Sequence, residues 1–174
     1  MKRSAAILFA LGFAALPARA DWILDGGVAI VSPTGGSSTM ELLAVHCGDP
    51  YHLEVLSRGG PVRPAGNGEA PVEADYFYKP GKVEARIDGR TFPLVAAGSD
   101  SAVVLFTQGT AAQNHMAPID AALIAALKSG SVLTLAFDVT PETNAADGTA
   151  HETVADFPLA GSGAMLNAAL AGCD

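Results

Sequence analysis

The chain has 174 residues and a formal charge of −8, with 49% hydrophobic and only 16% charged residues. That balance excludes a disordered polyelectrolyte. So acidic a chain also offers no basic surface for nucleic acid or anionic lipid, and its length suits one domain of ordinary size.

Lys2 and Arg3 precede an apolar stretch from Ala5 to Leu16, which Pro17 breaks, and Ala18-Arg19-Ala20 supplies the small residues a signal peptidase needs. Twelve such residues make roughly 18 Å of helix, short of a hydrocarbon core of ~30 Å. Residues 1–20 therefore read as a signal peptide cleaved after Ala20, and residues 21–174 as a single mostly-β domain. Loss of Lys2, Arg3 and Arg19, with no acid, takes the formal charge from −8 to −11. Asp21 rather than a cysteine follows the cleavage site, which argues against a lipoprotein. The longest later apolar run, Ala121 to Leu127, is too short for a membrane span. The expectation is an exported, periplasmic protein with no membrane span.

Along the domain, Met40–Cys47 and Tyr51–Ser57 alternate as strands. Leu43, Val45 and Cys47 share one face, with Met40, Leu42, Ala44 and His46 opposite; Leu53 and Val55 oppose His52, Glu54 and Leu56. Gly48-Asp49-Pro50 joins them as a hairpin. A Gly- and Pro-rich loop, Gly59–Pro71, leads to strands Val72–Tyr78 and Val83–Asp88. Asp88-Gly89 turns the chain into a strand Arg90–Val95, and Ala102–Thr107 reads as a buried strand. Four-residue spacing of Ile119, Leu123 and Leu127 predicts a helix over 118–128, with Pro118 and Asp120 in its first turn and Lys128 and Gly130 at its end. Strands Ser131–Val139 and Thr153–Phe157 flank a polar loop, and Pro158 stops the second. A final helix opens with Ser162 as N-cap and aligns Leu166, Leu170 and Cys173.

An oxidising compartment and only two cysteines favour one disulfide, Cys47–Cys173, pinning this helix to the first hairpin. The predicted fold is mainly β: an antiparallel sandwich or barrel-like domain with one short internal helix and a disulfide-pinned C-terminal helix.

Chemistry is sparse. His46 and His52 can approach each other across the hairpin and, with Glu54 or Asp49, are weak metal candidates. Set on an EF-hand with Gly148 as its glycine, the loop 140–152 places Thr143, Ala145 and Val154 at ligand positions and fails. Gly35-Gly36-Ser37-Ser38-Thr39 and Gly161-Ser162-Gly163 fall short of a nucleophile elbow. Tyr76-Phe77-Tyr78 is the one aromatic cluster, with Phe77 on the face opposite the tyrosines. No catalytic residue and no cofactor is assigned.

The order of LLAVHC with HLEVLS, VEARID, PIDAALIAALKSG before SVLTLAFDV, and the closing ADFPLAGSGAMLNAALAGC resembles the VasI-like periplasmic proteins associated with type VI secretion and related small exported proteins. The resemblance runs from about Val28 to Cys173 and carries the cysteine pair. It implies architecture and compartment, and an accessory role beside a protein partner in the cell envelope. Three functions are in view: a non-enzymatic interaction or accessory module of an envelope or secretion assembly, a small-ligand or metal-binding module, and a hydrolase.

Overall fold

The computed structural model describes residues 21–48, 52–66, 75–79, 81–107, 109–110, 115–139, 143 and 145–173. Residues 1–20, on which the expected signal peptide falls, the tip of the predicted hairpin over Met40–Ser57, the start of the predicted strand at Val72 and part of the loop after Val139 lie outside the described residues.

Among the described residues, thirteen strands and two helices follow one another as β1 (Ile23–Asp25), β2 (Val28–Val31), β3 (Gly35–Gly36), β4 (Met40–His46), β5 (His52–Ser57), β6 (Tyr76–Phe77), β7 (Val83–Ile87), β8 (Arg90–Ser99), β9 (Ala102–Phe106), β10 (Gly109–Thr110), β11 (His115–Met116), α1 (Ala121–Ser129), β12 (Val132–Phe137), β13 (Thr153–Pro158) and α2 (Ser162–Ala169). Ten strands pair in the order β1-β2-β4-β5-β9-β8-β7-β12-β13-β3, with β6 on β8; β10 and β11 form a separate ribbon. Every described pairing is antiparallel.

Two features bend this sheet around its core. β8 is ten residues long; Arg90–Leu94 pair with β7 and Val95–Ser99 with β9, so one strand serves both halves. At the far end of the path, β3 leads within four residues into β4, which lies inside the other half. The sequence ends β8 at Val95, because Ala96-Ala97-Gly98 has little strand propensity. Pairing with β9 on one edge and β6 on the other carries it on to Ser99.

The inner faces of both halves and one side of each helix share a single core. β7 and β13 alternate along their length, burying Val83, Ala85 and Ile87, and Thr153, Ala155 and Phe157. β13 includes Pro158, which is set opposite Val132; its carbonyl accepts the Trp22 indole N–H at 2.7 Å and so ties the start of β1 to the end of β13. In β4 the assignment of Met40 to the outer face is corrected. Met40 pairs with Ser57 but Leu42 with Leu56, so a bulge at Glu41 shifts the parity and Met40 joins Leu43 in the core.

The helices differ from expectation at their starts. α1 begins at Ala121, after Pro118, and Asp120 is its N-cap, accepting the Ala122 N–H at 2.6 Å. Asp120→Ala should cost about 1 kcal/mol, read as a lower urea midpoint with no change in the far-ultraviolet spectrum. Gly161, in left-handed conformation at φ 85°, takes the N-cap place of α2 that the sequence assigns to Ser162. The buried Ser162 hydroxyl is a hydrogen-bond donor instead, 2.7 Å from the carbonyls of Leu127 and Leu159. It satisfies the carbonyl end of α1 with the first residue of α2, and the opposed helix ends attract. As expected, Cys47 is bonded to Cys173, with Cα atoms 5.7 Å apart. Among the described residues no helix is long and apolar enough to cross a membrane.

Candidate interaction face

Side chains alternate along a strand, so cross-strand partners share a face. The outer surface can therefore be read row by row. In the half formed by β7, β12 and β13, one row runs Thr91, Arg86, Thr134, Asp156. It is polar throughout. The Arg86 guanidinium meets both carboxylate oxygens of Glu152 at 2.6 and 2.7 Å and Glu84 at 2.8 Å, and these hydrogen bonds, Glu152's first, make it still harder to deprotonate. Thr134 donates to Asp156 at 2.6 Å, and Lys82 pairs with Asp138. This is a solvated face.

The other half is different. One row crosses seven strands as Ile23, Ile30, Ala44, Glu54, Val104, Ala97 and Phe77. At about 4.8 Å per strand it is roughly 29 Å wide. The neighbouring row is Leu42, Leu56, Ala102, Ser99. Ile23, Leu56 and Phe77 are 56%, 41% and 57% exposed, and the remaining apolar members, apart from buried Ala44, are half-buried by one another. Strand sequences explain it: VAIV, LLAV and AVVLF are apolar at successive positions, the composition of strands covered on both sides. Contiguous apolar surface of this kind marks a site for association. Asp25, Asp75 and Asp100 stand exposed at strand ends around it.

The histidine pair sits at one margin of this face. β4 and β5 bring His46 and His52 into register as direct partners, and His46 Nε2 lies 3.4 Å from Glu54 Oε1. The side chain of His52 lies outside the described residues. Among the described residues no three His, Cys, Asp or Glu side chains form a group able to hold a metal ion.

The remaining candidates have structural duties. Ser37 Oγ accepts the Val154 N–H at 3.2 Å and Ser38 Oγ the Met40 N–H at 3.2 Å, while Ser162 is buried between carbonyls. In the loop before β13, Asp147 accepts both the backbone N–H and the hydroxyl of Thr149, at 3.0 and 2.7 Å. Those bonds, the backbone one foremost, lower its pKa, and Gly148 at φ 72° completes the turn. Glu152 is taken by Arg86. Tyr78 stacks edge-on to Phe137 at 5.1 Å and its hydroxyl accepts from Val62 N at 2.9 Å, leaving Phe77 to the outer face. A cavity of about 150 Å³ lies between β8 and α1, lined by Phe92, Pro93, Leu94, Thr107, Asp120 and Leu123. Its polar groups are occupied in holding the start of α1, because Thr107 Oγ1 accepts the Asp120 N–H at 2.7 Å.

The sequence did not point to this face, since its members come from seven strands whose order only the fold supplies. The N-terminal hairpin that begins it was also missed. Gly26-Gly27 between Ile23–Asp25 and Val28–Val31 is its turn, with both glycines at positive φ, and a Gly-Gly pair between apolar runs is a hairpin signal. No protein family model, no curated protein and no solved structure matches this chain.

Proposed function

We propose that the protein is an exported periplasmic interaction module, an accessory of an envelope or secretion assembly, that binds a protein partner through the apolar outer face of β1-β2-β4-β5-β9-β8-β6. The observation that carries this reading is the contrast between two outer faces of one sheet. One is paired and charged; in the other, a row across seven strands is apolar at every position except Glu54. Leaving the second in water forfeits about 25 cal/mol for every Å² of apolar surface a partner would cover. The exposed aspartates and a mature charge of −11 favour a partner whose apolar contact is flanked by basic side chains. The signal-like N-terminus, the disulfide and the resemblance to VasI-like proteins support the compartment and the accessory role.

The test is in-cell crosslinking of the tagged, exported protein, with mass spectrometry of what it retains. Wild type should enrich an envelope component over a matched periplasmic control. Leu56→Glu with Phe77→Glu should lower that enrichment at least about tenfold, as removal of central interface anchors does, while an outer-face change in the other half, Thr91→Glu, leaves it unchanged. A partner retained by the double variant, or no reproducible partner, overturns the reading.

A further inference from the structure

We propose that Glu54 is the specificity-determining residue of the apolar face, receiving a lysine or arginine that the protein partner carries inside its own apolar contact surface. The inference rests on the docking reading above and names the chemistry of the partner. It also excludes a second copy of this chain as the occupant.

Glu54 stands at the middle of the face. It is fourth in the row of seven, with Ala44 and Val104 as its cross-strand partners and Leu56 two residues along β5 on the same side. No lysine or arginine belongs to either apolar row. The other acids of this face, Asp25, Asp75 and Asp100, lie exposed at strand ends, where water reaches them. A partner can leave those at the rim. It cannot cover the row without covering Glu54.

What covers it is then constrained. The Glu54 side chain keeps 28% of its exposure, and a partner lying across the row removes that water. Taking a carboxylate out of water costs far more than an apolar contact of the same area gains, unless a cation or hydrogen-bond donor replaces the water. The neighbouring His46 Nε2 lies 3.4 Å from Oε1. That is longer than the roughly 2.7–2.9 Å of a charge-assisted hydrogen bond, so this contact does not replace the lost water. An ammonium or guanidinium brought in by the partner does, and a partner offering a methyl or a carboxylate at that point is rejected. A second copy of the chain fails on the same ground. Two copies related by a two-fold axis over the middle of the row would set Glu54 against Glu54, and like charges in contact oppose association. The formal charge of −8 acts in the same direction.

The row is roughly 29 Å wide at about 4.8 Å per strand, the length of a helix of about 20 residues, which defines a probe. Two fluorescein-labelled amphipathic helical peptides of that length, identical except for one Lys or one Glu in the middle of a leucine face, are titrated with the mature, disulfide-bonded protein and followed by anisotropy. Wild type should bind the Lys peptide at least about tenfold more tightly than the Glu peptide, within the range that close charge pairs contribute across interfaces. Glu54→Gln should abolish the difference. Glu54→Lys should reverse the order, a gain of affinity for the Glu peptide that a misfolded variant could not produce. Leu56→Glu with Phe77→Glu should weaken both peptides, and Thr91→Glu neither. Equal binding of the two peptides by wild type, or an order that Glu54→Lys does not reverse, overturns the role of Glu54 and leaves the face as an apolar docking site. Binding of neither peptide overturns the docking reading and this inference with it.

Discussion

Replacing Cys47 and Cys173 by alanine together is expected to destabilise the fold by about 4 to 5 kcal/mol in the chain-entropy treatment of a cross-link. The bridge spans 126 residues, from the end of β4 to just beyond α2, and so encloses every element from β5 to α2. In the unfolded state it would forbid most of the extended conformations otherwise available. A local term adds to the global one. α2 has only eight residues, far short of what holds an isolated helix together in water. Its N-cap is a glycine with no side-chain bond, and no basic residue lies in its last turn. What keeps it in place is burial of Leu166 and Ala169, the Ser162 hydroxyl and the bridge. The urea midpoint of the double variant should fall accordingly, and amides of residues 162–169 should lose exchange protection before those of β7 and β12. An unchanged midpoint would show that the core alone holds the helix. Intact mass of the natively folded protein before and after reduction and alkylation should show two protected thiols.

What could be read from the sequence follows from how local each signal is. The alternation of β5 and β7 was visible because every other residue faces one shared core, and that period survives any topology. The cysteine pairing was visible because two cysteines allow one bridge. Glu41 defeats the same logic. Its bulge is fixed by the pairing of β4 with β5, and nothing in Met40-Glu41-Leu42 announces it. Ser162 looked like a cap because caps are a local affair, yet the carbonyl it answers belongs to Leu127, 35 residues earlier. The apolar outer face lay further still from view. VAIV, LLAV and AVVLF each showed apolar residues at both parities, but only the strand order makes their outward positions one surface.

Gly36→Ala is expected to lower stability by at least about 2 kcal/mol, whereas Gly35→Ala should change it little. As sequence the two neighbours are indistinguishable, and both belong to the run that resembles a catalytic elbow. In the fold, Gly36 has φ 129°, a region closed to residues with a Cβ. A methyl group there would fall on the Val154 carbonyl oxygen and within 2.7 Å of the Ala155 Cα, both backbone atoms that cannot turn aside. At Gly35 the nearest atom would be Asp156 Oδ2 at 3.5 Å, an ordinary contact. The damage should spread, because Gly36 ends β3, where the chain leaves its pairing with β13 and runs on to β4. Thr34 N and Ser37 N donate to Asp156 O and Val154 O at 2.8 Å on either side of it, and lifting β3 would strain both bonds and expose the buried Thr153. Paired urea denaturation of the two variants checks this. A midpoint for Gly36→Ala no lower than that for Gly35→Ala would mean that the contact between β3 and β13 does not hold this end of the sheet against the rest.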